Sequence, residues 1–199
     1  MKEFLKSLAW IDYFYMVFTD PRKLSAALMR EPRSLPLGFA VPAVVSIMEI
    51  LAVSVLGSQT AFFSTKITYG WILCYMLMVF QNIIVGSLVD TAGQVMGYQG
   101  NIRNIVNIMN YALFPRVLLL PAVLIFSVFS FAPVFFYVLF SLALFTWSAA
   151  IVIQGLSEMH SAAFSRAVTV FVLPYLLLGV VAFFTMVLTV ISIIGYFTA

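Results

Sequence analysis

Residues 167–197 read AVTVFVLPYLLLGVVAFFTMVLTVISIIGYF, a continuous apolar run without a charged side chain. About 20 such residues are enough for a helix to cross the hydrocarbon core of a bilayer. The run lacks the alternation of polar and apolar positions that a half-buried strand shows. It therefore predicts a transmembrane α-helix, whose backbone hydrogen bonds are all satisfied within the segment.

Similar runs recur along the rest of the chain. They lie at residues 36–56, 67–89, 105–132 and 134–155. The whole sequence is 64% hydrophobic and 9% charged, whereas a soluble domain has about 25% charged residues. Only Phe131-Ala132-Pro133 separates the third run from the fourth. We predict an all-α transmembrane bundle of about five spans over residues 36–199.

Residues 1–35 differ from the rest because they are rich in charge. They hold six of the ten basic residues: Lys2, Lys6, Arg22, Lys23, Arg30 and Arg33. Asp20-Pro21 predicts an N-cap and first turn for a short helix over residues 22–30. Its apolar side carries Leu24, Ala27 and Leu28, so we expect a cytoplasmic or interfacial segment with a helix on the membrane surface. An ordinary solvated segment is the alternative.

The basic residues are divided unequally between the two ends of the spans. With five spans, the N-terminal segment and the loops at residues 90–104 and 156–166 share one side, which holds eight basic residues. Lys66 alone lies on the other side, and Arg116 lies inside a span. Cytoplasmic loops carry the excess of Lys and Arg. We therefore expect the N-terminus in the cytoplasm and the C-terminus on the opposite side.

Four short segments resemble a known family. They are Phe18-Thr19-Asp20-Pro21-Arg22-Lys23 before the basic helix, Tyr111-Ala112-Leu113-Phe114-Pro115 in the third span, Trp147 followed by Gly155-Leu156, and Ser165-Arg166-Ala167 before the fifth span. Their order is similar to that of the Yip family, five-span proteins named for interaction with Ypt/Rab GTPases, and above all to its short prokaryotic members. The resemblance implies a multi-pass protein of the cytoplasmic (inner) membrane of a prokaryote. Tyr111 and Pro115 would be its motif residues.

The chain also departs from the family pattern. Asn110 stands where the family often has glycine, and the Asp-Leu-Tyr-Gly-Pro motif of eukaryotic members is absent. These departures argue against a Rab-type GTPase as the partner.

Two charged residues lie inside the predicted spans. Glu49 is about 13 residues into the first span and Arg116 about 11 residues into the third, counted from the same side. At 1.5 Å per residue both lie ~17–20 Å deep. A lone charge there costs ~2.5–3.5 kcal/mol on insertion scales, so we expect Glu49 and Arg116 to face one another.

Amides and hydroxyls occur at about the same level. They are Gln81, Asn82, Asn110, Thr146 and Ser148, and Asn101, Asn104, Asn107 and Asn110 recur every three residues. On a helix this spacing gives a slowly drifting polar stripe. We predict an intramembrane polar groove with Glu49, Arg116, Gln81, Asn82, Asn107 and Asn110 as candidate binding residues for a head group, a solute or a partner helix. Alternatively, the amides only join helices, at ~0.6 kcal/mol per hydrogen bond.

The motifs of common catalytic sites are absent from the sequence. His160 is the one histidine, so H-E-x-x-H is excluded, and neither G-x-S-x-G nor a phosphate-binding glycine loop occurs. We expect no enzyme activity, no cofactor, no metal and no nucleic acid, and a cap made by Asp90. The sequence favours a bundle that organises or assists other membrane components through lipids, a membrane protein or a second copy. The alternative is a small transporter or lipid-translocating protein.

Overall fold

A computed structural model describes residues 9–31, 34–57, 67–128 and 133–198 of the chain. The elements are α1 (Ala9–Thr19), α2 (Pro21–Arg30), α3 (Ser34–Gly57), α4 (Ile67–Val95), α5 (Ile102–Ala112), a 3-10 turn (Phe114–Leu118), α6 (Leu119–Val128), α7 (Pro133–Met159) and α8 (Phe164–Thr198). These described ranges contain helices and no strand. The predicted all-α class is confirmed.

Five stretches are long and apolar enough to cross a membrane. We call them spans 1 to 5: Ser34–Gly57, Tyr69–Val95, Ile102–Val128, Val134–Met159 and Phe164–Val190. Span 3 consists of α5, the 3-10 turn and α6. The chain is therefore a multi-pass membrane protein, as predicted. We call the half of the bundle nearest α2 the inner half and the opposite half the outer half.

Some residues used for the sequence predictions lie outside the described ranges. They are Lys2, Lys6, Arg33 and Lys66 of the charge distribution and Phe131 and Ala132 of the turn between spans 3 and 4. The orientation of the protein in the membrane thus stays a prediction.

α2 starts as the sequence predicts. Asp20 is the N-cap, and its Oδ1 accepts the backbone N–H of Lys23 at 3.2 Å. The two side chains also form an ion pair at 2.9 Å, and these contacts with Lys23 lower the pKa of Asp20. Pro21 takes the first helical position, where its missing N–H does no harm.

The apolar side of α2 is covered by protein, whereas the sequence predicted that this side lies on the membrane surface. Leu24 and Leu28 are buried, and Ser25 Oγ donates to the carbonyl oxygen of Gly155 at 3.1 Å. Gly155 permits this close packing, since a Cβ there would lie 1.8 Å from Ile108 Cδ1. A helix of this length can bury its apolar side against lipid or against protein, and its own sequence does not distinguish the two.

α1 lies against span 3 through aromatic rings. Phe14 contacts Phe114 with ring centroids 4.4 Å apart, and Phe18 contacts both Phe114 and Trp147 at 5.6 Å. Such tilted and edge-on ring pairs add about 0.5–1.5 kcal/mol beyond the area that they bury. The N-terminal segment is therefore packed onto the bundle.

The turn between spans 2 and 3 is held by Asp90. Its carboxylate accepts the backbone N–H of Asn101 at 2.7 Å and Gln94 Nε2 at 2.8 Å. Asn101 is in turn the N-cap of α5, because its side chain accepts the N–H of Asn104. Asp90 thus does not cap a helix itself; it lies within α4 and fixes the residue that caps the next one.

Candidate intramembrane polar site

Span 3 is broken near its middle, and the break positions Arg116. α5 ends at Ala112, and Pro115, which has no N–H, cannot continue the α-helical hydrogen bonding. The chain tightens into the 3-10 turn instead, where the Arg116 N–H donates to the Leu113 carbonyl at 2.9 Å. Short 3-10 segments inside longer helices often mark functional positions.

Arg116 pairs with Glu49 of span 1. Arg116 Nε lies 2.7 Å from Glu49 Oε1, and the side chains are 28% and 14% exposed. The expected ion pair is thus formed. Removing one member of such a pair strands a charge away from water, which destabilises strongly.

A cysteine that no sequence pattern marked completes this cluster. Cys74 Sγ lies 3.8 Å from Glu49 Oε2, while Arg116 contacts the other carboxylate oxygen, Oε1. A single thiol in an apolar run gives no sign of its neighbours, so reasoning from the sequence could not find this contact.

The asparagines of the stripe have two structural roles, helix capping and hydrogen bonding between helices. Asn101 caps α5, whereas Asn110, fully buried, accepts a hydrogen bond from Asn82 Nδ2 at 2.8 Å. Asn107 Nδ2 donates to Ser34 Oγ at 3.0 Å. The Asn107 and Asn110 amides therefore join helices through hydrogen bonds. Their role in binding stays a prediction.

A cavity of about 60 Å³ lies between spans 2, 3, 4 and 5, and we call it the lateral cavity. Its polar lining residues are Gln81, Asn82, Arg116 and Ser148. The Ser148 hydroxyl is buried and has no partner among the described residues. The remaining wall is apolar and aromatic, as in many binding sites where a few polar groups fix the orientation of a ligand.

Gln81 has an unusual position. It is the middle residue of the 29-residue helix α4, and its side chain is exposed on the surface of the bundle. No hydrogen bond or ion pair joins it to another part of the described chain. The sequence placed Gln81 beside Asn82 in the groove, but only Asn82 is buried there.

Two titratable groups outside the spans are shifted by burial. Burial, then the hydrogen bond that its hydroxyl donates to Glu31, raises the pKa of Tyr13 to about 12. Burial also lowers the pKa of His160, whose ring lies 4.8 Å from that of Tyr98. Within the described ranges no three His, Cys, Asp or Glu residues are close enough together to hold a metal ion.

Comparison with known proteins agrees with these features. The family model described as the Yip1 domain matches residues 15–195, which include all five spans and α2. No curated protein and no solved structure matches the chain. The matched stretch contains the Tyr111–Pro115 motif, and in the structure this motif forms the break that positions Arg116. The chain belongs to the Yip1 domain family.

Proposed function

We propose that this Yip1 domain protein is a non-enzymatic organiser of membrane components, which holds a transmembrane helix of a partner at the lateral cavity. The observation that carries the proposal is the exposed Gln81 side chain at the middle of span 2. An amide without a partner in hydrocarbon costs several kcal/mol. A polar group on a neighbouring helix removes that cost through an interhelical hydrogen bond.

Arg116 supports the same site. A guanidinium has five N–H donors, and in Arg116 the Nε group is next to Glu49 while the side chain also lines the lateral cavity. The cavity thus offers a guanidinium, an amide and the Ser148 hydroxyl, which has no partner in the described part of the chain. We infer a partner helix that presents an amide, hydroxyl or carboxyl group near its midpoint, either on another protein or on a second copy of this chain.

We place this function in the cytoplasmic membrane of a prokaryote, with the N-terminus in the cytoplasm. The described basic residues outside the bundle interior support this orientation, since Arg22, Lys23, Arg30, Arg103 and Arg166 all belong to the inner half. Positive charge of this kind favours the cytoplasmic side and anionic lipid. The family is not known as enzymatic, and the missing eukaryotic motif leaves no ground for a Rab-type GTPase as the partner.

A second candidate function is transport or lipid translocation. It is favoured by the broken span 3, because discontinuous helices with charges near the midplane form the binding sites of many transporters. Glu49→Gln and Arg116→Gln would abolish flux of labelled lipid or solute in proteoliposomes if the protein translocates. If the protein organises other components instead, these variants change its assembly, and neither the native chain nor the variants show flux.

The test of the first proposal is the size of the complexes that the protein forms in its source membrane. Gln81→Leu keeps the helix apolar and removes the amide, so we expect the complex to shrink to the single chain on a native gel. Phe80→Leu is the matched control, since Phe80 is the neighbouring exposed residue, and it should leave the complex intact. Equal complexes for all three proteins would overturn the proposal.

A further inference from the structure

A second polar cavity, of about 300 Å³, opens at the inner ends of spans 1 and 3, and we call it the mouth cavity. The end of α2 and the starts of α3 and α5 form its walls, and its polar lining residues are Arg30, Glu31, Ser34, Asn101, Arg103, Asn104 and Asn107. Two guanidiniums face one carboxylate, and that carboxylate already accepts the Tyr13 hydroxyl. Among the described lining residues, guanidiniums therefore outnumber carboxylates.

The start of α5 adds to this positive field. α5 is 11 residues long and begins at Ile102, so the partial positive charge of its N-terminus lies at the mouth cavity, where it favours an anion. An independent sign of a ligand comes from Asn107. It is 2% exposed, and its Oδ1 has no partner among the residues described. An amide oxygen only accepts hydrogen bonds, so the missing partner must be a donor, such as a hydroxyl of a glycerol head group, and not a phosphate oxygen.

An apolar groove continues along α3, deeper in the membrane, between α1 and the 3-10 turn. It has a volume of about 190 Å³ and is lined by Phe14, Leu37, Ala40, Val41, Val44 and Phe114. Along α3 it begins three residues below Ser34 and ends ten residues below it, which is a depth of ~5–15 Å at 1.5 Å per residue. The polar cavity lies at the inner surface and the apolar groove lies deeper in the membrane. A phospholipid places its phosphate and its acyl chain in the same order.

We propose that the mouth cavity and the apolar groove together bind one anionic glycerophospholipid of the inner leaflet, with its phosphate at Arg30 and Arg103 and one acyl chain beneath α1. Guanidinium groups match phosphate oxygens in charge and geometry. The lipid would connect α2 and α1 to spans 1 and 3. This site shares no residue with the lateral cavity, so a test of lipid binding here is independent of a test of the proposed function.

The test uses the full chain in a neutral detergent, with phosphatidylglycerol added and bound lipid counted by native mass spectrometry. We expect the native chain to retain one lipid tightly. The double variant Arg30→Gln/Arg103→Gln should bind it at least about tenfold more weakly, since each substitution removes a charge-assisted contact. Ala40→Phe, which fills the groove, should weaken binding similarly. The matched controls are Arg166→Gln, an exposed arginine at the same end, and Ala182→Phe, an exposed alanine of span 5; both should bind as the native chain does.

Two results would overturn the proposal. If the arginine variants retain phosphatidylglycerol as well as Arg166→Gln does, the mouth cavity does not hold the head group. If glycerol phosphate or inorganic phosphate displaces the lipid at equal concentration and Ala40→Phe has no effect, the cavity takes a soluble phosphate and the acyl chain plays no part. Circular dichroism of every variant separates loss of the site from loss of the fold.

Discussion

In the inner half of the bundle, a hydrogen bond between Asn82 and Asn110 joins spans 2 and 3, and Asn107 bonds to Ser34 of span 1. In the outer half, by contrast, Leu119, Val123 and Leu144 pack together as an apolar cluster. Two outer hydroxyls of span 5 bond within their own helix: Thr185 and Thr189 donate to carbonyls one turn earlier. Span 5 shows the contrast within one helix. Val170 near its start is fully buried, while residues 176–186 are all exposed.

This difference shows which spans are joined by interhelical hydrogen bonds. Between lipid tails and apolar side chains there is no hydrophobic driving force, so close packing and interhelical hydrogen bonds must hold the spans. The inner half has both, and the candidate sites adjoin it. Among the described residues, the packed cluster of the outer half is smaller than that of the inner half.

The largest loss of stability should come from breaking the charge pair where the two halves meet. Arg116→Gln leaves the Glu49 carboxylate buried without a cation, which costs about 3–5 kcal/mol of unfolding free energy. Titration with a denaturing detergent measures this loss. Adding Glu49→Gln should restore most of it, because no charge is then stranded. Losses that simply add in the double variant would show that the two side chains do not interact.

A paired truncation would measure the packing contrast directly. Ile108 is fully buried in the inner half, so Ile108→Ala should cost about 2–4 kcal/mol through the cavity that it leaves. Leu188 is 63% exposed on span 5, and Leu188→Ala should change the unfolding free energy by less than about 0.5 kcal/mol. Similar losses at both positions would remove the distinction between the halves.

Two glycines allow a finer comparison. A Cβ at Gly38 would lie 2.1 Å from Asn107 Oδ1, whereas a Cβ at Gly179 has no atom within 4 Å. Gly38→Ala must displace the Asn107 amide and should cost about 1–3 kcal/mol. Gly179→Ala should be neutral or stabilise by up to about 1 kcal/mol, since alanine favours a helix. Thermal unfolding of the two variants side by side gives the answer, and a tolerated Gly38→Ala would mean that the Asn107 contact is loose.

The smallest effect concerns pH at the inner surface. Burial lowers the pKa of His160 in the folded chain, with Asp90 acting in the opposite direction. The neutral ring therefore stabilises the fold above the unfolded pKa of about 6.5. This contribution should be lost as the pH falls through the lower folded pKa. The melting temperature should drop between pH 7 and pH 5 in the native chain and less in His160→Gln. Identical pH profiles would exclude His160 as the cause.

Much of this structure could be predicted from the sequence, but only where composition or depth decides it. The spans follow from apolar runs, and the Glu49–Arg116 pair follows from two charges at equal depth. The side of α2 that meets protein, the contact of Phe14 with Phe114, and the outward direction of Gln81 could not be predicted. Each depends on how a helix is rotated about its own axis, and an apolar helix has almost no amphipathic pattern to fix that rotation.

Photo-crosslinking from position 81 in the source membrane tests most directly whether a partner helix binds at the lateral cavity. A photoreactive residue replaces Gln81, and in a control it replaces Ile83, which is exposed at nearly the same depth on the other side of α4. If a partner helix is bound at the lateral cavity, position 81 gives a discrete protein adduct, with a second copy of this chain or with another membrane protein, and position 83 gives lipid adducts alone. Lipid adducts alone from both positions would contradict a helix bound at the lateral cavity.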